Sequence, residues 1–233
     1  MIIYGKNPVK EAIFANRKIY HLYLDKNHND SKLISFLKDK NVDFEYKGKD
    51  YLNEITDNAL HQGIVADVMD YQYFDLDELL KSKKELRLLI LDELSDPHNL
   101  GAILRTAEAV NLDGIILSNK QQVKLNATVA KVSSGAIEHV KVFLVGNINQ
   151  TIDKLKQNNV FVIGTDGNTE KEFTDIENFG RSAIVLGSEG QGIRPLVKQN
   201  CDMLVKIPMK GKINSLNVSV AAALMMYMQY FKK

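Results

Sequence analysis

The chain has 233 residues, 45% of them hydrophobic and 25% charged, a formal net charge of +1 and one cysteine, Cys201. That is enough chain to bury a core without covalent staples, and its composition is neither disordered nor collagen-like. One cysteine excludes an internal disulfide and a multi-cysteine metal site, and no run approaches the ~20 apolar residues of a membrane span. The first residues lack the basic flank and apolar run of a signal peptide, so a cytoplasmic location is expected. The small net charge hides a split. Residues 1–80 hold ten Lys and Arg against fourteen Asp and Glu, and residues 81–233 hold twenty against fifteen. A mildly basic second part permits a nucleic-acid partner without demanding one.

Residues 1–69 read as a small α/β unit. Asn7-Pro8 is suited to start a helix, with Asn as cap and Pro at the first position. Lys18–Leu24 predicts a strand, Ser31 a capped helix, and the alternation of Val42–Tyr46 a half-buried strand. Asp50 begins a short helical pattern, and Ile64–Met69 closes the unit as a strand. Residues 70–85, acidic and then lysine-rich, are expected to link it to a second domain at 86–233, with a short helix at Asp77–Leu80.

In the second part, Leu86–Leu91 is a nearly continuous apolar run, as in a strand covered on both faces. Further strands are expected at Gly114–Leu117, Val140–Val145, Val160–Gly164, Ser182–Leu186 and Met203–Ile207. Helices are expected at Asn99–Val110, Ala127–Ser133, Asn149–Gln157 and Leu216–Phe231. Such alternation predicts a mostly parallel sheet flanked by helices, with ligands at the carboxyl ends of its strands.

Three loops carry the chemical signal. The first, Ser95-Asp96-Pro97-His98-Asn99, opens a helix that Asn99 is placed to cap; Arg105 lies one and a half turns on. Arg105 can reach a cleft or simply pair with Glu108 on the surface, a contact worth little. The second, Gly187-Ser188-Glu189-Gly190-Gln191-Gly192, is a glycine turn after an apolar strand, where backbone can approach a ligand closely. It is no P-loop, and its glycines stand as G-x-x-G-x-G, a poor dinucleotide fingerprint. Glu189 would repel a pyrophosphate, or would merely cap a turn amide. The third, Ile207–Asn217, ends a strand at Pro208 and continues through basic Lys210-Gly211-Lys212 to Ser215, placed to cap a long helix. That helix ends in an apolar cluster of Met225, Met226, Tyr227, Met228, Tyr230 and Phe231, as expected of a buried core or a dimer interface.

Taken together, in order and spacing, the three loops resemble the three motifs of the SpoU, or TrmH-like, branch of the SPOUT RNA methyltransferases. Residues 1–69, including His61-Gln62-Gly63-Ile64-Val65-Ala66, are similar to the L30e-like substrate-binding domain that precedes some of these enzymes. The resemblance implies an α/β catalytic domain with a C-terminal trefoil knot, a homodimer, and S-adenosylmethionine (SAM) as methyl donor. The implied reaction methylates a ribose 2′-hydroxyl of RNA, with a guanosine of 23S rRNA as the first expectation and a tRNA ribose the next. Carried over by motif, Asn99, Arg105, Glu189, Ser215 and Asn217 are implied as catalytic. Thr165, Asp166, Gly167, Leu186, Gly187, Ser188, Gly190, Ile207, Pro208, Met209, Ser215 and Leu216 are implied to hold the cofactor, and no metal is implied.

A guanidinium is a poor general base because it stays protonated in proteins. Arg105 is therefore expected to stabilise a developing alkoxide and grip the neighbouring phosphate. Lys206, Lys210 and Lys212 are placed to meet RNA phosphates. In the first domain Tyr20, Tyr23 and Tyr46 fit either the core or stacking on unpaired bases. Two other classes compete: a nucleotide-binding enzyme built on the 183–192 loop, which predicts NAD or ATP affinity, and a non-catalytic RNA-binding assembly factor, which predicts RNA affinity without turnover.

Overall fold

The computed structural model describes every residue except 83, 121, 122, 189 and 233. In chain order its elements are β1 (Ile2–Tyr4), α1 (Lys6–Phe14), β2 (Ile19–Asp25), α2 (Ser31–Asp39), β3 (Glu45–Lys47), α3 (Lys49–Ile55) and β4 (Ile64–Val68). Then come α4 (Leu76–Ser82), β5 (Leu86–Asp92), α5 (Pro97–Ala109), β6 (Gly114–Ser118), α6 (Ala127–Val132), β7 (Val142–Val145), α7 (Ile148–Gln157) and β8 (Phe161–Thr165). The chain ends with β9 (Arg181–Gly187), α8 (Pro195–Asn200), β10 (Met203–Val205) and α9 (Val218–Phe231). Two compact units emerge: residues 1–72 with 125–139, and residues 73–124 with 140–233.

The first unit holds a four-stranded sheet in the order β1-β4-β2-β3. β4 pairs antiparallel with β1 and β2, and β3 adds to β2 in parallel. Leu22 and Leu24 of β2 are buried together with Val9 of α1 and Leu33 and Leu37 of α2. The expected division at 1–69, 70–85 and 86–233 is corrected on two points. Residues 125–139, which lie between two strands of the second unit, pack with the first. Arg17 and Glu138, whose side chains are 6% and 5% exposed, form an ion pair at 2.8 Å there. Tyr71 donates to the same carboxylate at 2.8 Å and lies under the Arg17 guanidinium. The stretch 70–85 is also no free linker: α4 sinks Leu76, Leu79 and Leu80 into the core of the second unit.

That second unit is built on a six-stranded sheet in the order β10-β8-β9-β5-β6-β7, every pair parallel. One face buries Leu86, Leu88 and Ile90 of β5 against α4, α7 and α8. Alternate side chains of a strand point to opposite faces, so Leu89 and Leu91, fully buried as well, serve the other side. α5 and α9 pack together, and α9 lies on β9. Gln229 is the polar residue in the buried stripe of α9, and it donates to Ser182 Oγ of β9 at 2.7 Å.

Helix starts depart from expectation in a consistent way. α1 begins after Gly5 rather than Asn7, α2 is capped by Asp30 rather than Ser31, and α5 by Asp96 rather than Asn99. α9 is capped by Asn217 rather than Ser215. Asp30 accepts from Leu33 N at 3.1 Å, and Asp96 from His98 N at 2.8 Å. Asp96 followed by Pro97 joins a strong cap to a residue that needs no amide partner at the first helical position.

Candidate active site

Three parallel strands, β5, β9 and β8, end side by side, and their carboxyl ends carry the site. β9 runs out at Gly187. The turn that follows folds straight back: Ser188 and Gly192 form a bridge, with Gly192 N donating to Ser188 O at 3.0 Å. Gly190 and Gly192 have φ of 87° and 68°, in the left-handed region that glycine enters without penalty. A Cβ on Gly187 would stand 2.0 Å from the Gly192 carbonyl, so glycine is required there by contact rather than by torsion.

After the turn the chain is pinned to β5. Asp92, the last residue of that strand, has a fully buried side chain. It accepts from Arg194 Nη2 at 2.6 Å and from Arg194 Nε at 3.0 Å, and takes the Arg194 main-chain amide at 3.2 Å. A buried carboxylate is tolerated only when paired and hydrogen-bonded in this way. Its hydrogen bonds hold the Arg194 guanidinium above its ordinary pKa. This pair was not among the predicted site residues. The available signal was an acid ending an otherwise apolar strand, which demands a cation nearby.

The third loop meets the first. Asn217 caps α9 by accepting from Ser219 N at 2.9 Å, and its Nδ2 donates to Asn99 Oδ1 at 3.0 Å. Asn99, only 7% exposed, can make this contact because Asp96 has taken the capping position on α5. Residues 118 apart in the chain are thus joined, tying the third loop to the first.

A cleft of about 350 Å³ opens between the second and third loops and the end of β8, within the size range of small-ligand sites. Of the predicted cofactor residues, Thr165, Gly167, Leu186, Gly187, Ser188, Gly190, Ser215 and Leu216 line it, joined by Gln191, Gly192, Asn214, Val218 and Ala221. Asp166, Ile207, Pro208 and Met209 do not line it. The Asp166 carboxylate pairs instead with Lys198, which holds it below the usual carboxylate range. Pro208 and Met209 are exposed. Arg105 is exposed on α5, and among the described residues no ion pair joins it to Glu108. Glu189 lies outside the described residues.

The chemistry of the lining is selective. Its described members are hydroxyls, amides, glycines and aliphatics, with no charged side chain among them. Side chains added at Gly167 or Gly190 would meet nothing within 4 Å, so backbone there is open to a ligand. A pyrophosphate would find no cation, which disfavours NAD or ATP. A nucleoside without phosphates fits better. Among the described residues no group of three or more His, Cys, Asp and Glu could hold a metal ion, and no helix is long and apolar enough to cross a membrane.

The SpoU rRNA Methylase family model matches residues 87–227, and a model described as RNA 2′-O ribose methyltransferase substrate binding matches residues 2–74. A Bacillus subtilis protein, YacO, assigned to the TrmH family of tRNA/rRNA methyltransferases, is 42% identical over 99% of this chain and 95% of its own length. A Staphylococcus aureus protein assigned to the same family is 44% identical over 100% of this chain and 96% of its own. Among solved structures, the SpoU methyltransferase AviRb of Streptomyces viridochromogenes, in complex with AdoMet, superposes with a TM-score of 0.85 at 23% identity. That match covers 100% of this chain and 89% of AviRb. The TrmH/SpoU tRNA modifying enzyme of A. aeolicus matches 67% of this chain and 83% of its own length with a TM-score of 0.58 and 26% identity.

Proposed function

The chain belongs to the SpoU rRNA Methylase family, and we propose that it transfers a methyl group from S-adenosylmethionine to a ribose 2′-hydroxyl of RNA, a guanosine of 23S rRNA being the first target to test. The observation that carries this reading is the cleft at the ends of β8 and β9, whose described lining residues include no charged side chain and whose third loop is tied to the first by the Asn99–Asn217 hydrogen bond. Thr165, Gly187, Ser188, Ser215 and Leu216 would hold the methyl donor. Bound there, it supplies an electrophilic methyl on a sulfonium, which needs no metal.

The residues of this chain do the rest. The attacking hydroxyl must lose its proton, and negative charge grows on its oxygen. Arg105, on the helix that also carries Asn99, stabilises that charge and holds the adjacent phosphate by bidentate contact. It does so as a cation, not as a base. Asn99, Asn217 and Ser215 fix the loops in register, and Glu189 is assigned to the same set by its place in the second loop. Lys206, Lys210 and Lys212 meet phosphates of the substrate.

A homodimer is part of the reading. α9 buries Val218, Ala222, Met225 and Met226 but leaves Val220, Leu224, Tyr227 and Phe231 exposed by 47%, 39%, 41% and 74%. These four recur at steps of four, three and four, so they form one apolar stripe suited to a second copy. The trefoil knot belongs to the reading too, supported by the crossover that carries the chain from β9 past β8 to β10.

Incubation with methyl-labelled SAM and unmodified rRNA and tRNA, followed by digestion and mapping, tests the assignment. Label is expected on one 2′-O-methyl nucleotide, and it should vanish in Arg105→Ala. Mapping also separates rRNA from tRNA, the two substrates in the names of the relatives. Near-full turnover by Arg105→Lys would remove bidentate recognition from the mechanism, and absence of SAM binding would remove the proposal.

A further inference from the structure

Building on the reading of this chain as an RNA-modifying enzyme, we propose that its first unit carries a cleft for unpaired RNA nucleotides, in which Phe14 and Tyr20 stack bases and Lys18 and Lys40 meet the flanking phosphates. The cleft, about 590 Å³, lies where the C-terminal ends of α1 and α2 meet the start of β2.

Packing does not account for its two rings. Tyr20 stands at the start of β2, where the register with β4 shifts between Ile19 and His21, and it is 48% exposed. Phe14, the last residue of α1, is 51% exposed. Both helices stop short of covering this corner, and aromatic surface is left facing water.

Each ring is attended by an ammonium. Lys18 Nζ stands 5.1 Å from the Tyr20 centroid, and Lys40 Nζ stands 5.4 Å from that of Phe14. Phe36, 5.2 Å from Phe14, carries Lys10 at 5.3 Å. Aromatic faces interleaved with lysines suit a polyanion that also presents flat rings. An exposed cation–π contact is weaker than a base stacked on an aromatic ring. A base therefore displaces the ammonium from the ring, and the lysine stem leaves that charge within reach of the nucleotide's phosphate.

Asn16 and Asn41 follow α1 and α2 in left-handed conformations, with φ of 54° and 53°. They bring exposed amides to the cleft wall, where they can meet base edges. Asp43 is the acid among the lining residues, and the Arg17 guanidinium is committed to Glu138 and the Met69 carbonyl. The phosphate contacts therefore fall to the lysines. Bases paired inside a duplex cannot stack on protein rings, so the occupant is single-stranded RNA.

The test is fluorescence anisotropy on the full chain with a labelled eight-nucleotide oligouridylate and, for comparison, a hairpin of similar length. The single strand is expected to bind more tightly. Phe14→Leu and Tyr20→Leu should each weaken it by roughly ten-fold. Lys18→Gln with Lys40→Gln should lower the salt slope by about 0.7 for each phosphate no longer neutralised. Wild-type affinity in the double ring variant, or a preference for the hairpin, would overturn the proposal. If the ring variants melt early, the salt slope of the lysine variants decides, an unchanged slope counting against it. SAM binding, measured by calorimetry on the same samples, should be untouched in every variant. A wild-type chain that binds oligouridylate but not SAM would refute methyl transfer and leave the cleft standing.

Discussion

Replacing Asn217 by alanine removes the cap of α9, which its Oδ1 makes to both Ser219 N and Ser219 Oγ, and the tie from its Nδ2 to Asn99 Oδ1. Losing an Asn cap to alanine costs about 1 kcal/mol. Losing the hydrogen bond to a 7% exposed Asn99 costs about 1 kcal/mol more. The variant should therefore lose about 2 kcal/mol, a ~30-fold fall in the ratio of folded to unfolded chain. Asn217→Ser separates the two contributions. Serine caps as well as asparagine but cannot reach Asn99 in the same way, so this variant should recover about half of the loss. Guanidinium unfolding gives the energies, and titration calorimetry gives the functional consequence. Leu216 and Val218, on either side of Asn217, line the cleft, so fraying the first turn of α9 should weaken SAM binding in the alanine variant and much less in the serine variant. Alanine stability within about 0.3 kcal/mol of wild type, below the cost of any lost cap, would refute the reasoning. So would a serine variant as unstable as the alanine one.

Three further outcomes follow from the geometry. Gly187→Ala puts a Cβ 2.0 Å from backbone and should abolish SAM binding, whereas Gly167→Ala, which meets nothing within 4 Å, should leave folding intact; equal damage from both would show that the turn is not tight. Glu138→Ala strands the buried Arg17 cation and should cost about 3 kcal/mol or more, while Tyr71→Phe, losing one hydrogen bond to that carboxylate, should cost about 1.5 kcal/mol by the same unfolding assay. His61 is buried, accepts from Gly63 N on Nδ1 and meets Asn53 Oδ1 through Nε2 at 3.0 Å, and burial lowers its pKa from the ordinary 6.5. Below pH 6.5 the unfolded chain takes up a proton that the folded chain resists. Stability should therefore fall as pH drops through and below that value, and more gently in His61→Gln. A proton NMR titration of His61 with a midpoint at or above 6.5 would contradict this.

Periodicity made the second unit readable. Leu86–Leu91 is apolar but for Arg87, and it became β5, in the middle of the parallel sheet. The cleft was legible for the same reason: once β9 ends at Gly187 and β8 at Thr165, residues just after them must stand at the ligand end of the sheet. Helix caps were less legible because the runs before the helices hold several candidates. Asn29-Asp30-Ser31, Ser95-Asp96-Pro97 and Asn214-Ser215-Leu216-Asn217 each offer two or three side chains able to cap, and local chemistry does not rank them. Tertiary contacts do. Asn217 is selected where its other end can reach Asn99. The Asp92–Arg194 pair spans 102 residues, a separation at which no local pattern operates.

The segment 125–139 shows the limit of reading domains from composition. It connects β6 to β7, neighbours in one sheet, a place where a parallel fold ordinarily lays a helix on that sheet. Here α6 and the turn at Ala136–Glu138 belong to the first unit instead. Their ties are specific: Glu138 neutralises Arg17, His139 meets Glu11 at 2.8 Å, and Lys131 donates to Gln62 at 2.8 Å. The backbone therefore passes between the units three times, at 72, 124 and 139. A chain cut after Gln72 would leave Arg17 buried without its carboxylate and Tyr71 without its acceptor. The first unit is thus completed by residues that lie within the second unit's stretch of sequence, and a boundary drawn along the chain cannot represent it.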